Sequence, residues 1–145
     1  MRRAAVATAV AAAVVGCGSA ASTPSDTAAA QPATSLTISF WESGREQGAP
    51  KRWTLRCRPA GGSHTRAAQA CSRLFALQRP FAPPPKDLAC TQIYGGPEQA
   101  LVTGVHHGRR VWTQLSLSDG CQIARFKALA FLVPGFSAGA RGATS

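Results

Sequence analysis

Five cysteines and three histidines are the residues of this 145-residue chain with the most evident chemistry. A thiol can form a disulfide, bind a metal or carry a lipid, whereas a histidine can bind a metal or transfer a proton. They are Cys17, Cys57, Cys71, Cys90, Cys121, His64, His106 and His107. The last four cysteines are 14, 19 and 31 residues apart, and these spacings match no zinc-binding pattern. The sequence therefore predicts disulfides and no metal site.

The chain lacks the residue combinations of a catalytic site. Nothing pairs a histidine with a nucleophile and an orienting carboxylate, and only six acidic residues are present. His106 and His107 are adjacent in a predicted turn, with no acidic neighbour to orient them as metal ligands. Gly95-Gly96-Pro97 lacks the strand-to-helix context of a phosphate-binding loop. We therefore predict that the protein is not an enzyme and uses no cofactor.

The N-terminal residues have the pattern of an export signal. Met1-Arg2-Arg3 precedes an uncharged run over residues 4–15, which is too short to span a bilayer as a helix. The run ends in Val14-Val15-Gly16-Cys17, which resembles the bacterial lipobox, in which the cysteine receives a diacylglyceryl thioether. We predict a signal peptide over residues 1–16 and lipidation of Cys17, which anchors the protein outside the bacterial cell membrane. The alternative is an ordinary signal peptide with a chance cysteine, which gives a secreted protein.

Composition divides the rest of the chain into one domain and two flanking segments. Residues 18–35 are small and polar, without apolar periodicity, and cannot bury enough surface to fold. Residues 17–35 are therefore predicted to be a lipidated cysteine and a disordered tether. Residues 36–134 form the predicted domain, and residues 135–145 a flexible tail. A domain of about 100 residues has an ordinary size, and two disulfides would supplement its core.

The chain is strongly basic. Removal of the predicted signal peptide takes away two of the 16 basic residues and leaves 14 against six acidic ones, a net charge of about +8. Such a charge attracts nucleic acid, anionic lipid or an acidic partner. The arginines are dispersed and fall largely on predicted solvent-facing positions, which favours a solvated basic surface. Export from the cytoplasm also argues against a nucleic-acid partner.

The hydrophobic pattern predicts an α+β domain, with an antiparallel sheet and helices packed to one side. Alternation and apolar runs bounded by turn residues indicate the strands. The predicted strands are residues 36–40, 53–58, 100–105, 110–117 and 128–133. Ser63 is placed to cap a helix that carries an apolar stripe from Ala67 to Leu77, and a short helical turn is predicted around residues 121–126.

Two disulfides follow from this arrangement. The helix must place Cys71 near the second strand, which makes Cys57 its natural partner. Cys90 would then join Cys121. Cys90 lies in the stretch from Asp87 to Pro97, whose flanks are a triple proline and Gly-Gly-Pro. Such flanks indicate an exposed, extended segment that is attached at Cys90.

A set of short motifs covers the whole predicted domain. The first motifs are Cys57-Arg58-Pro59, Gly61-Gly62-Ser63-His64 and a helix with Ala67, Ala70, Cys71 and Leu74. The later ones are Cys90-x-x-Ile93-Tyr94, Val102-x-Gly104-Val105-x-x-Gly108-Arg109-Arg110-Val111 and Cys121. In this order, over about residues 36–133, they resemble the subtilisin-inhibitor-like family of small secreted bacterial inhibitors of serine proteases.

The resemblance implies a five-stranded antiparallel sheet with two helices, the disulfide pairing above and dimers formed through the sheets. It also implies a scissile bond two residues after the loop cysteine, between Gln92 and Ile93. Gln92 would then fill the primary specificity pocket of a subtilisin-like protease. The rest of the protease-binding loop would be Ala89, Cys90, Thr91 and Tyr94.

Two features of the loop depart from the family pattern. Gln92 offers an amide to a mainly apolar pocket, where an unpaired amide costs about 1 to 3 kcal/mol. Gly95-Gly96-Pro97 contains one more residue before the proline than family members usually have, which is expected to loosen the exit of the loop. These departures motivate an alternative: an envelope binding or structural lipoprotein with the same fold and a degenerate, non-inhibitory loop.

Overall fold

The computed structural model describes residues 33–136. Its strands are β1 (Thr34–Trp41), β2 (Lys51–Cys57), β3 (Gln99–His106) and β4 (Arg109–Ser116), and its helices are α1 (Ala67–Ala76) and α2 (Gly120–Leu129). The predicted signal peptide, Cys17, the tether up to residue 32 and the tail from residue 137 lie outside the described residues. Among the helices of residues 33–136, none has the length and apolarity that crossing a membrane requires.

Alternating side chains make the sheet one-sided. In β1, Leu36, Ile38 and Phe40 are buried on one face, whereas Ser35 and Thr37 on the other face are exposed; Ser39, also on that other face, is buried. The strands pair antiparallel in the order β2-β1-β3-β4. The buried face meets α1 and α2 in a single core, to which the helices contribute Ala70, Leu74, Phe126 and Leu129. The predicted α+β class with an antiparallel sheet, two helices and two disulfides is confirmed.

The hairpin of β3 and β4 closes with a two-residue turn. His107 and Gly108 both have positive φ, +49° and +75°, as a tight hairpin turn requires. The Gly108 N–H donates to the Ala33 carbonyl oxygen at 3.2 Å, which ties the turn to the residue before β1. The predicted hairpin is therefore present, with the glycine at the position that needs it.

The fifth strand predicted over residues 128–133 is wrong, because this segment is helical. Helix α2 runs to Leu129 and continues as a 3₁₀ turn over Ala130–Leu132. The buried side chains of this region are Phe126, Leu129, Leu132 and Val133. Their spacing of three and four residues fits a helical face, and a short apolar run alone does not distinguish a strand from a helix. Within residues 33–136 the sheet thus has four strands.

The core extends slightly beyond the predicted end of the domain at residue 134. The ring of Phe136 stacks on Phe126, with 4.3 Å between ring centroids, and meets Phe40 edge-on at 6.0 Å. At the other end, β1 begins at Thr34, two residues before the predicted start.

Helix α1 begins later than predicted, and Ser63 does not cap it. The helix starts at Ala67, and Arg66 precedes it without a side-chain cap. Ser63 instead pairs with Thr54 on β2, because the Thr54 N–H donates to Ser63 Oγ at 2.9 Å and the Ser63 N–H to Thr54 Oγ1 at 3.0 Å. Ser63 therefore holds the turn after β2 against the edge of the sheet.

Two disulfides attach α1 and α2 to their neighbours. Cys57 at the end of β2 is bonded to Cys71 in α1, with the two Cα atoms 5.7 Å apart. Cys90 is bonded to Cys121 in the first turn of α2, with the Cα atoms 5.4 Å apart. Both distances are ordinary for a disulfide.

Two buried histidines should make the stability of the domain depend on pH. The His64 Nδ1 accepts the Arg66 N–H at 3.2 Å, which leaves Nε2 to donate to the Phe131 carbonyl oxygen at 3.2 Å, so the ring is held neutral. Burial lowers the pKa of His64 below 6.5. Burial, and then the neighbouring charge of His107, lower the pKa of His106 below 6.5. As the pH falls, the folded chain therefore binds protons at these two histidines at a lower pH than the unfolded chain does, which favours unfolding.

We expect the midpoint of thermal unfolding to be highest above about pH 6.5 and to fall as the pH decreases through the lowered histidine pKa values. Thermal melts followed by circular dichroism between about pH 8 and about pH 5 measure this effect. The single variants His64→Gln and His106→Gln should each flatten the profile, because each removes one of the two groups. An unchanged profile in both variants would contradict the expectation.

Candidate functional site

The stretch from Asp87 to Pro97 lies between α1 and β3 as an extended segment without regular structure. The side chains from Thr91 to Tyr94 are exposed, with Ile93 at 58% and Tyr94 at 69% of their full accessibility. A neighbouring apolar side chain, Leu88, is 52% exposed. This segment therefore presents several apolar side chains to solvent in sequence, which is unusual unless they meet a partner.

Three attachments fix the two flanks of the exposed residues, and all three lead to residues 117–121. Upstream, Cys90 is bonded to Cys121, and the Thr91 carbonyl oxygen accepts the Gly120 N–H at 2.9 Å. Downstream, the Gly95 N–H donates to the Leu117 carbonyl oxygen at 2.8 Å. Within residues 33–136, no internal backbone hydrogen bond engages residues 92–94. These three residues thus form an exposed bridge whose two ends are held and whose own backbone groups make no internal backbone hydrogen bond.

The start of α2 supplies the upstream anchor. Asp119 caps the helix, since its Oδ1 accepts the Gln122 N–H at 2.9 Å. Gly120 follows the cap as the first helical residue, so its N–H has no partner inside the helix. That unused donor binds the Thr91 carbonyl, and Cys121 comes next to hold Cys90. The cap therefore sets the position from which α2 holds the exposed segment.

The Gln92 side chain lies along its own backbone. Its Nε2 donates to the Cys90 carbonyl oxygen at 3.4 Å, which is long for such a bond. A bond of this length is weak, and both groups are exposed or half-buried. The Gln92 amide and the Cys90 carbonyl can thus exchange this hydrogen bond for bonds to other partners with little loss of free energy.

The two glycines that follow Tyr94 are held closely. A Cβ atom at Gly95 would lie only 3.0 Å from Ile123 Cδ1, so the Gly95 backbone packs directly on α2. Gly96 has φ of +143°, and a Cβ atom there would collide with the carboxylate of the buried Glu98. These contacts argue against the loosened exit that the added glycine suggests from the sequence.

We expect Gly96→Ala to lower the free energy of unfolding by about 1 to 3 kcal/mol, because alanine is strained at this φ and meets Glu98. Gly48→Ala is the matched control: Gly48 has φ of +134°, but no atom lies within 4 Å of its added Cβ. The control should lose less stability, and the difference between the variants measures the contact at Gly96. Equal losses in denaturant titrations would show that the backbone conformation alone matters.

Three or more potential metal ligands come together at only one place within residues 33–136. Cys90, Cys121 and Asp119 bring ligand-type atoms within 4.8 Å of one another. The two sulfur atoms are bonded to each other, and the Asp119 carboxylate caps α2. The three groups therefore already have structural roles.

The structure places Gln92, Ile93 and Tyr94 on the exposed bridge, and Ala89, Cys90 and Thr91 lie just before it. The sequence did not indicate the residues that hold the two ends of the bridge, which are Leu117, Asp119 and Gly120. Asp119 was the available signal, because an aspartate just before a helical stretch is a typical start of a helix. The sequence interpretation placed that start nearer Cys121.

Comparison with known families finds one match. A family model described as subtilisin inhibitor-like matches residues 30–119 of the chain. Among solved structures, the chain is similar to one chain of the crystal structure of Streptomyces caespitosus sermetstatin in complex with Bacillus licheniformis subtilisin. The identity is 27%, the match covers 72% of this chain and 99% of that chain, and the TM-score is 0.47. Among curated proteins, none matches the chain significantly.

Proposed function

The chain belongs to the subtilisin inhibitor-like family, and from this membership we propose that it inhibits subtilisin-like serine proteases with Gln92–Ile93 as the reactive bond. Membership identifies the chain as a protease inhibitor and not an enzyme. The finer proposal concerns how it inhibits: the segment around Gln92 enters the active-site cleft of the protease as a substrate would. Gln92 fills the primary specificity pocket. The rest of the cleft is occupied by the other loop residues, Ala89, Cys90, Thr91, Ile93 and Tyr94.

The observation that supports this mechanism is the attachment of both flanks of the bond to residues 117–121. An extended peptide binds a protease cleft through its backbone groups, and its side chains select the enzyme. The backbone groups of Gln92, Ile93 and Tyr94 are free for such contacts because the internal hydrogen bonds stop at Thr91 and Gly95. Since the segment is already held, binding costs less conformational entropy than it would for a free peptide.

The same attachments explain why cutting need not end inhibition. The serine oxygen of the protease adds to the Gln92 carbonyl carbon, the C–N bond to Ile93 breaks, and the proton of the serine hydroxyl passes to the Ile93 amine. In a free peptide the Ile93 side would diffuse away, and water would then release the acyl group. Here the Cys90–Cys121 disulfide holds the Gln92 side, and the Gly95–Leu117 hydrogen bond holds the Ile93 side. The amine stays beside the acyl carbon and can attack it to re-form the bond.

Titration of subtilisin with the purified chain tests the proposal. We expect stoichiometric loss of protease activity and slow appearance of a single cut between Gln92 and Ile93 by mass spectrometry. A linear peptide of residues 87–97 is the control, and it should be cut rapidly without inhibiting. No inhibition at micromolar concentration, with simple proteolysis of the chain, would refute the proposal and favour the non-inhibitory envelope protein.

We propose further that Cys17 is lipidated and holds the inhibitor at the outer surface of the cell membrane. The support is the sequence Val14-Val15-Gly16-Cys17 after a basic and then uncharged segment. Expression in the presence of a radiolabelled fatty acid should label the chain, and the labelled chain should be found in the membrane fraction. Cys17→Ser should abolish the label and release the chain. Labelling that persists in this variant, or a wild-type chain found only in the medium, would contradict the proposal.

A further inference from the structure

Helix α2 also holds the chain that leads into the exposed segment, through Arg125. This residue lies one helical turn after Cys121, so the two side chains leave the same face of α2. The guanidinium donates to three backbone carbonyl oxygens: from Nε to Ala82 at 3.2 Å, from Nη2 to Phe81 at 3.4 Å and from Nη1 to Gln114 at 2.9 Å. Arg125 therefore connects the chain before the triple proline to α2 and to β4.

The chain between these two attachments has few other means of being held. Pro83, Pro84 and Pro85 have no N–H and cannot donate hydrogen bonds. The backbone hydrogen bonds that Ala82 and Leu88 donate are local, to Arg79 and Pro85. The segment and α2 together line an open pocket of about 410 Å³, whose lining includes Leu88, Thr91, Gly120 and Ala124. Fixing residues 81–82 at one end and Cys90 at the other therefore restricts the path of the chain between them.

The guanidinium is well placed to fix this path. The Phe81 carbonyl also accepts the Thr113 hydroxyl at 3.3 Å, and the Phe81 ring meets His106 edge-on, with 5.4 Å between centroids. Residue 81 is thus already near the core, and Arg125 binds the Phe81 and Ala82 carbonyls from which the chain continues toward Cys90. Arg125 is partly buried, and this burial lowers its pKa. Moving the Phe81 and Ala82 carbonyls away would leave this cation with the Gln114 carbonyl as its one remaining acceptor among residues 33–136.

We propose that Arg125 is a positioning residue of the inhibitor: with the Cys90–Cys121 disulfide, it fixes the chain that leads into the Gln92–Ile93 bond. The inference rests on the proposed function. A loop whose approach is free to move loses preorganisation, which shows as faster dissociation and faster net hydrolysis, whereas the encounter with the protease changes little. Arg125 acts through the segment that contacts the protease and needs no contact of its own.

The test measures association, dissociation and hydrolysis of the reactive bond with subtilisin for Arg125→Gln and Arg125→Lys. We expect Arg125→Gln to dissociate and to be hydrolysed about tenfold faster, with an association rate constant within about twofold of wild type. Arg125→Lys keeps the charge but lacks the planar fork, so its rates should lie between those of wild type and Arg125→Gln. The lysine variant also serves if the glutamine variant folds poorly.

Two control variants separate positioning from other effects. Lys127→Gln removes an exposed charge from the same helix, and Ile38→Val weakens the buried core at β1, a strand that carries none of the loop's attachments described above. Both should dissociate and be hydrolysed at the wild-type rates. Wild-type rates for Arg125→Gln, or equally raised rates for Ile38→Val, would overturn the positioning role while the inhibitor function stands. If the wild-type chain is itself cut by subtilisin without inhibiting it, the proposed inhibitor function is refuted, whatever the Arg125 variants do.

Discussion

Replacing Cys90 and Cys121 together by alanine is expected to turn the inhibitor into a substrate. This disulfide is the covalent attachment next to the proposed reactive bond, and it closes a span of 31 residues. Without it, the attachment nearest the bond on the Gln92 side of a cut loop is the single hydrogen bond between Thr91 and Gly120, so re-formation of the bond loses to hydrolysis. The free energy of unfolding should also fall by about 4 kcal/mol, from the greater freedom of the unfolded chain.

The other disulfide provides the control for this loss of stability. Cys57 and Cys71 close a span of 14 residues between β2 and α1, away from the exposed segment. Their replacement by alanine should cost about 3 kcal/mol of stability but leave inhibition intact at a temperature where the variant is folded. Inhibition constants and cleavage rates of the two double variants, measured after circular dichroism has shown both to be folded, test this difference. Equal loss of inhibition in both would mean that stability, and not the hold on the loop, is what matters.

The parts of the fold that could be predicted are those with a strong local pattern. The alternation of Leu36, Ile38 and Phe40 with polar residues indicated β1, and the glycine of His107-Gly108 indicated the hairpin turn. The two cysteine pairs followed once the helix was placed beside the second strand.

The errors lie where the local pattern is ambiguous. The apolar run at the end of the domain fits both a strand and a helix, and packing against the sheet decides for the helix, because Phe126, Leu129 and Leu132 share one face. Ser63 is a good helix cap by residue type, but two hydrogen bonds with Thr54 hold it at the edge of the sheet instead. Tertiary contacts thus decide between two local possibilities in the first case and override a local preference in the second.

The site shows the same division. Exposure of Gln92 and Ile93 and the attachment at Cys90 could be expected from the flanking prolines and glycines. The roles of Leu117, Gly120 and Arg125 could not, because each depends on a backbone group that lies far away in sequence. Gly95-Gly96 was expected to loosen the segment, whereas the close contacts with Ile123 and Glu98 hold it. Whether two glycines are flexible depends on their neighbours, which composition does not reveal.

Gln92 is the loop residue that is expected to lower the affinity of the proposed inhibitor for its protease. In the free protein its amide makes one long hydrogen bond, to the Cys90 carbonyl, and is otherwise open to solvent. In a mainly apolar protease pocket the amide loses water, and without a hydrogen-bond partner this costs about 1 to 3 kcal/mol. Methionine has a similar length and flexibility but no amide, so it keeps the fit and avoids that cost.

We therefore expect Gln92→Met to lower the inhibition constant against subtilisin by roughly 5- to 150-fold, which corresponds to the same 1 to 3 kcal/mol. Gln78→Met is the matched control, because Gln78 is also exposed but lies just after α1, outside the loop. It should leave the inhibition constant unchanged. The stability of both variants should match wild type, since neither glutamine is buried. An inhibition constant that does not respond to Gln92→Met would show that Gln92 does not enter the specificity pocket, and the reactive bond would then have to be placed elsewhere in the loop.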